Sequence, residues 1–277
     1  MRLGLMVALA MLAFAANSVL NRMALAGGGI GPASFAAIRL AAGAAMLVAL
    51  AAVRRDGFRP GFGSRRWLGA ACLAVYALGF SFAYLALDAG VGALILFGAV
   101  QLTMFAGALA GGEAVPRQRA AGAVLAFGGL CLLAWPSGAT ALPGTGVALM
   151  AAAGIGWGIY SLAGRGAADP LGETAANFLV ALPAGLLAVA LLPDAVSPFG
   201  ATLAVISGAV TSGLGYALWY ACLPRLAASQ AAVAQLTVPV IAALGGAALL
   251  AEAPGLRFWT AAALVIAGVL LSLRRRR

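Results

Sequence analysis

Three side-chain amides, Asn17, Gln101 and Gln235, lie inside long runs of apolar residues. Where such a run crosses a bilayer there is no water to satisfy an amide, so each needs a protein partner or a wet cavity. An amide carries donors and an acceptor without net charge. That chemistry suits the ends of a small neutral or zwitterionic solute. It also suits a hydrogen bond between neighbouring helices, worth about 0.6 to 2 kcal/mol, and both readings stand for the glutamines. Pro239 follows Gln235 by one helical turn and cannot donate to its carbonyl, which leaves that oxygen free to coordinate or to take a water. Pro183 has the same effect in another run, with no polar residue beside it. Trp157 lies deep in its own run, where lipid would leave its indole N–H unsatisfied. Tyr76, Phe80 and Tyr84 recur at i, i+4 and i+8 and so share one helical face, a pattern that serves packing as readily as a pocket. The candidate substrate-binding set is therefore Asn17, Tyr76, Phe80, Gln101, Trp157 and Gln235, which Tyr160 and Tyr216 could join.

Other chemistries lack their reagents. The chain has no histidine, hence neither the usual general base nor the commonest metal ligand. Cys72, Cys131 and Cys222 are far apart, each within or at the end of an apolar run, which gives neither a disulfide frame nor a metal site. No cofactor is expected. The seven acids, Asp56, Asp88, Glu113, Asp169, Glu173, Asp194 and Glu252, all avoid the middle of the apolar runs, whereas a proton-coupled carrier keeps a carboxylate there to titrate. Only Arg22 and Arg39 lie within the runs, too few cations to neutralise a phosphorylated solute. Arg39 lies about 10 Å from the outer end of its run at 1.5 Å per residue, and either a structural pair with Asp88 or a gate role is expected. Glu113 and Glu252 precede apolar runs, where a carboxylate favours the N-terminus of the following helix. An enzyme acting on lipid would need acid pairs or a surface histidine, and the loops have neither.

Composition dictates the elements that position these residues. Of 277 residues, 64% are hydrophobic and 9% charged, against roughly a quarter charged in a soluble domain. Ten segments can each cover a hydrocarbon core of about 30 Å: approximately 3–25, 32–53, 67–87, 91–110, 118–135, 145–164, 171–192, 199–221, 228–250 and 256–273. There is no lysine, so all 17 basic residues are arginine. Arg2, Arg54, Arg55, Arg59, Arg65, Arg66, Arg117, Arg119, Arg165, Arg225 and Arg274 to Arg277 fall on one side of this stack, and only Arg257 lies in a loop on the other. Cytoplasmic retention of arginine then puts both termini inside. Arginines at helix ends face anionic headgroups, not nucleic acid, which needs them interleaved along one folded face. Arg2 and the Ala13-Phe14-Ala15 tripeptide imitate a secretory signal, but the run continues through Ala26 at spanning length, so the first segment is expected to be retained. Trp67, Trp135, Trp219, Tyr220 and Trp259, near segment ends, read as an interfacial belt.

The chain also repeats itself. Gly79, Ala83, Gln101, Leu102 and Thr103 recur as Gly213, Ala217, Gln235, Leu236 and Thr237 at one constant displacement. Phe14, Ser18 and Arg22 answer to Trp157, Ser161 and Arg165, and Glu113 and Gly129 to Glu252 and Gly268. Two units follow, about 1–137 and 138–277. Each holds an odd number of segments, so the second must be inserted upside down, the architecture that exposes one central site alternately to either side. A non-transporting scaffold would leave that symmetry without a purpose.

Paired five-segment units, Arg39 in the second segment, and the Glu113 to Pro116 and Glu252 to Pro254 turns ahead of Gly-rich segments together resemble the drug/metabolite transporter superfamily. Within it the chain is most similar to the EamA-type exporters, and among those to the YddG-like amino-acid exporters, over its whole length. The resemblance implies an all-α integral membrane protein of ten transmembrane helices in two inverted five-helix repeats. It further implies amino-acid export through a central cavity in a bacterial inner membrane. The small four-span multidrug relatives carry a buried acid in the first segment where this chain has Asn17, which argues against proton-driven cation efflux. The expected activity is alternating-access export or facilitation of neutral amino acids, aromatic and Met side chains favoured, without a full counter-charge in the cavity; efflux of drugs or another small metabolite is the alternative. A fused double repeat can build its pathway as a monomer, with the substrate and the lipid bilayer as its partners and no nucleic acid. Gln101→Ala or Gln235→Ala is expected to abolish flux.

Overall fold

The computed structural model describes residues 2–53, 64–112, 116–135, 142–164, 167–226, 231 and 234–273. The expectations for Arg54, Arg55, Arg59, Glu113, Arg165 and Arg274 to Arg277 concern residues outside this set, as does the junction between the two sequence units. Among the described residues the chain is helical, with one isolated antiparallel bridge between Ile30 and Val196.

The helices are α1 (Arg2–Ala26), α2 (Pro32–Ala52), α3 (Ser64–Ala83), α4 (Ala89–Ala110), α5 (Arg117–Ala134), α6 (Gly144–Ala163) and α7 (Pro170–Leu191), then a long rod α8, then α9 (Thr237–Leu250) and α10 (Leu256–Leu273). Rod α8 is α-helical over Pro198–Ile206, widens to a π-helix over Ser207–Leu214, resumes over Gly215–Cys222 and closes with a 3₁₀ turn, Leu223–Arg225. Proline opens α2, α7 and α8, where its missing N–H costs nothing and its φ is already helical. Seven of the rods, α1 to α4 and α6 to α8, are long and apolar enough to cross a bilayer. The apolar stretches Ala120–Ala134, Thr237–Leu250 and Leu256–Leu271 are shorter than expected for α5, α9 and α10. The ninth segment is interrupted at Leu236, just before Pro239. There the Thr237 hydroxyl donates to the Ala234 carbonyl at 2.7 Å, so a side chain satisfies a carbonyl beside the break.

The broadest packing contacts join α2 to α7, α3 and α4 to α6, α2 to the π segment of α8, and α5 to α10. Small residues permit them. A Cβ at Gly154 would lie 2.6 Å from the Leu96 carbonyl, and one at Gly208 would collide with the Arg39 carbonyl, so α6 meets α4 and α8 meets α2 backbone to backbone.

The contacts between helix ends share a pattern. Arg22, at the end of α1, donates Nε to Glu252 at 2.9 Å and Nη1 to the Tyr84 and Leu85 carbonyls at 2.9 and 3.3 Å, while its Nη2 stands 3.6 Å from Asp88. The other Glu252 oxygen accepts the Ala89 N–H at 2.8 Å, at the start of α4. Glu252 therefore caps a helix N-terminus, but that of α4 and not of the helix following it, because Arg22 draws it across the bundle. Asp194, between α7 and α8, accepts the Ala33 N–H at 2.9 Å at the start of α2. Arg257 of α10 donates to the Leu132 and Trp135 carbonyls at the end of α5. Each of these links joins ends that follow an odd-numbered helix or precede an even-numbered one.

Trp67, Trp135 and Trp259 are exposed, as belt residues would be. Trp219 is not: it is buried and meets the Phe14 ring edge-on at 5.9 Å. Rod α8 continues past it to Arg225, so it lies deeper than its distance from the end of the apolar run implied.

Candidate functional site

Five helices converge on one cavity. Phe14 and Asn17 come from α1, Tyr76 and Phe80 from α3, Leu96 and Phe97 from α4, Trp157 from α6 and Tyr216 from α8. The cavity is small, ≈ 10 Å³, roughly what one water requires. Its wall is a chain of rings. Tyr76 lies 5.4 Å from Phe80 and 5.1 Å from Trp157 between centroids, Trp157 lies 4.8 Å from Tyr216, and Phe14 meets Tyr216 edge-on at 5.7 Å. The first three pairs are tilted, and the edge-on Phe14–Tyr216 pair is an arrangement that aromatic quadrupoles favour.

Beside the rings runs a buried polar network. The Asn17 carbonyl oxygen accepts from the hydroxyls of Ser207 and of Thr211, the latter at 3.0 Å, and its amide nitrogen donates to Ser212 at 3.3 Å. All three hydroxyls belong to the π segment of α8, whose wider turns bring Ser207, Thr211 and Ser212 to one side; short π stretches often mark functional places. Ser212 also accepts from Arg39 Nε at 3.0 Å, and Arg39 Nη2 donates to the Tyr76 hydroxyl at 2.6 Å. The guanidinium carbon sits 4.8 Å from the centroids of both Tyr76 and Phe80, a double cation–π contact. Arg39 is only 1% exposed, its Nη1 has no partner, and no carboxylate among the described residues pairs with it. The buried hydroxyl of Tyr216 lies close to Arg39 and Tyr76 but makes no hydrogen bond of good geometry.

Two expectations are thereby corrected. Arg39 does not pair with Asp88, because Arg22 holds that carboxylate at the helix ends. Nor is the centre uncharged, since a guanidinium is stacked on its wall. Within the candidate set, Asn17, Tyr76, Phe80 and Trp157 come together at the cavity. Gln101, one turn beyond Phe97 on α4, and Gln235, just before α9, are half-buried and do not line it. The Tyr76, Phe80, Tyr84 stripe divides: Tyr84, just past the end of α3, turns its hydroxyl to the Ala89 carbonyl at the start of α4 at 3.2 Å and does not line the cavity. Tyr160 stacks on Trp157 at 5.4 Å and donates to Thr174 at 3.3 Å.

Ser207, Thr211 and Ser212 were not legible as site residues. Their signal is three hydroxyls at i, i+4 and i+5 in an apolar run, but such groups usually bond their own backbone, as Thr211 also does to the Ser207 carbonyl at 2.9 Å. Among the described residues, no cluster of His, Cys, Asp and Glu is arranged to hold a metal.

A helical bundle around a small aromatic and polar centre can be compared with known proteins. The profile of the EamA-like transporter family matches residues 144–274, which is α6 to α10. An uncharacterised protein of Pseudomonas aeruginosa is 48% identical over 274 residues, covering 98% of this chain and 94% of that protein. A protein of Archaeoglobus fulgidus described as an uncharacterised transporter is 26% identical over 214 residues, 76% of each chain. A crystal structure of a protein with 22% identity superposes with a TM-score of 0.69 over 96% of this chain and 98% of that one, so the fold is shared. The second half of the chain thus matches the EamA-like transporter family, and seven of the helices in the described residues are long and apolar enough to cross a membrane.

Proposed function

We infer that this protein is a membrane transporter that carries amino acids with aromatic or Met side chains by alternating access, as an exporter or facilitator that is not coupled to protons. The observation that carries the reading is the composition of the cavity. Rings from α1, α3, α6 and α8 offer an apolar wall, and Asn17 supplies an uncharged polar group beside it. Residues 1–137 contribute six of its lining side chains, and residues 138–277 contribute Trp157 and Tyr216. A centre built by both units opens when either swings away.

The packing supports two inverted five-helix units. Exchanging α1 with α6, α2 with α7 and so on through α5 with α10 converts the α3–α6 contact into α1–α8, α4–α6 into α1–α9 and α3–α7 into α2–α8. The α2–α7, α4–α9 and α5–α10 contacts map onto themselves, as they must at a twofold axis. The parity of the contacts between helix ends supports ten alternating crossings, including the three shorter ones. The arginine bias supports cytoplasmic termini in a bacterial inner membrane. The Arg22, Asp88 and Glu252 cluster would then close the outer end, and one chain suffices for the pathway.

A panel of labelled amino acids in proteoliposomes, with and without a pH gradient, tests this. Gradient-independent flux of aromatic amino acids and Met is the expected result. Flux that collapses without a pH gradient would remove the uncoupled mechanism. Resistance to hydrophobic drugs on overexpression, with no amino-acid flux, would replace the substrate class.

A further inference from the structure

We propose that Arg39 and Tyr216 together hold the carboxylate of the substrate, which makes the centre a site for amphipathic monocarboxylates, zwitterionic amino acids among them, and not for solutes that lack a carboxylate. The proposal rests on the amino-acid reading above and names the group that the site recognises.

Arg39 is a permanent cation at the heart of an apolar bundle, 1% exposed and without a carboxylate partner among the described residues. A buried charge persists only if something repays its desolvation. Two of its nitrogens are held by neutral oxygens, Ser212 and Tyr76, and its face is covered by the rings of Tyr76 and Phe80. These contacts fix the plane of the guanidinium, while Nη1 keeps its donors unused. The Tyr216 hydroxyl, on the cavity wall and close to both Arg39 and Tyr76, makes no hydrogen bond of good geometry and is a second buried donor for a ligand to engage. Tyr76 accepts from Arg39, so its own proton is also available to a third partner. A carboxylate presents two oxygens and one negative charge, matching one cation and two neutral donors. A phosphate dianion would demand at least a second cation, and Arg22 is fully engaged at the helix ends.

The cavity is now too small for such a solute. Trp157, Ser212 and Tyr216 belong to the second unit and Tyr76, Phe80 and Arg39 to the first, so the opening that admits the substrate also parts Ser212 and Tyr216 from Arg39, while Tyr76 stays with it. The carboxylate would rejoin them, which couples occupancy to closure.

The test is a comparison of acid and amide. In wild-type proteoliposomes, flux of labelled phenylalanine or Met is measured against competition from the same amino acid and from its carboxamide, which keeps the side chain and amine but loses the negative charge. The free acid should compete at least about a hundredfold better, as expected when a buried charge loses its partner. Equal competition by acid and amide in the wild type would overturn the proposal without any variant. In Arg39→Gln the acid-to-amide ratio should fall to near one. In Tyr216→Phe, which keeps the ring, it should fall about tenfold. A folded Arg39→Gln or Tyr216→Phe protein that retains the wild-type ratio would overturn the proposal, as would an Arg39→Gln variant that loses acid and amide binding in equal proportion. Wild-type liposomes that move no amino acid would remove both this proposal and the function it rests on, whereas wild-type flux with an unchanged ratio in the variants removes this proposal alone.

Discussion

Arg22 and Arg39 are both arginines inside apolar helices, and the bundle treats them in opposite ways. Arg22 is saturated: Glu252, two backbone carbonyls and Asp88 surround it, and its side chain keeps 19% of its exposure. Arg39 is almost fully buried, has only neutral partners, and leaves one nitrogen unused. A guanidinium whose charge is compensated holds parts of a structure together; one whose charge is not is where we propose that a ligand binds. The difference separates a structural closure at the helix ends from a functional centre, and substitutions at the two places should sort accordingly.

The largest effect on stability is expected at the closure. Arg22→Met strands the Glu252 carboxylate, whose side chain is 10% exposed, and should cost about 3 kcal/mol, since breaking a buried pair leaves an uncompensated charge. Thermal unfolding in detergent measures it, and adding Glu252→Gln to Arg22→Met should recover part of the loss. Asn17→Leu comes next. It removes the common acceptor of Ser207 and Thr211 and should cost about 2 kcal/mol, with flux lost as well; a variant of unchanged melting temperature would mean that the α1–α8 network is dispensable. Gly208→Ala forces a methyl against the Arg39 carbonyl and should cost about 1 to 3 kcal/mol by overpacking, seen as a lower midpoint in denaturant titration.

Arg39→Met sharpens the comparison most. Replacing an uncompensated buried charge by an apolar side chain of similar length should change stability by no more than about 1 kcal/mol, in either direction, while transport is lost. A melting temperature that drops as far as that of Arg22→Met would erase the distinction between the two arginines. The smallest effect is expected at Gln101→Ala, a half-buried residue off the cavity wall, which should change stability by no more than about 0.5 kcal/mol with near wild-type flux; abolished flux would extend the site along α4.

Much of the architecture was legible in the chain. Helix positions follow from apolar runs bounded by Pro32, Pro170 and Pro198, because a segment that must satisfy its backbone in lipid has little choice but to be helical. The deep placement of Asn17 and Trp157 was legible for the same reason, since a polar group in a long apolar run needs somewhere to go. What the sequence could not convey is pairing across the bundle. Glu252 stands ahead of α10, yet it caps α4, and Asp88 meets Arg22 rather than Arg39. Each alternative has the same local chemistry, and only the distance between helix ends chooses between them. The hydroxyls of Ser207, Thr211 and Ser212 became partners of Asn17 because the turns of α8 widen there, a departure from helical periodicity that composition does not announce. Residue types alone determined that charges and amides would lie within the bilayer; which of them would be compensated, and which left open for a solute, was decided by the packing of one helix against another.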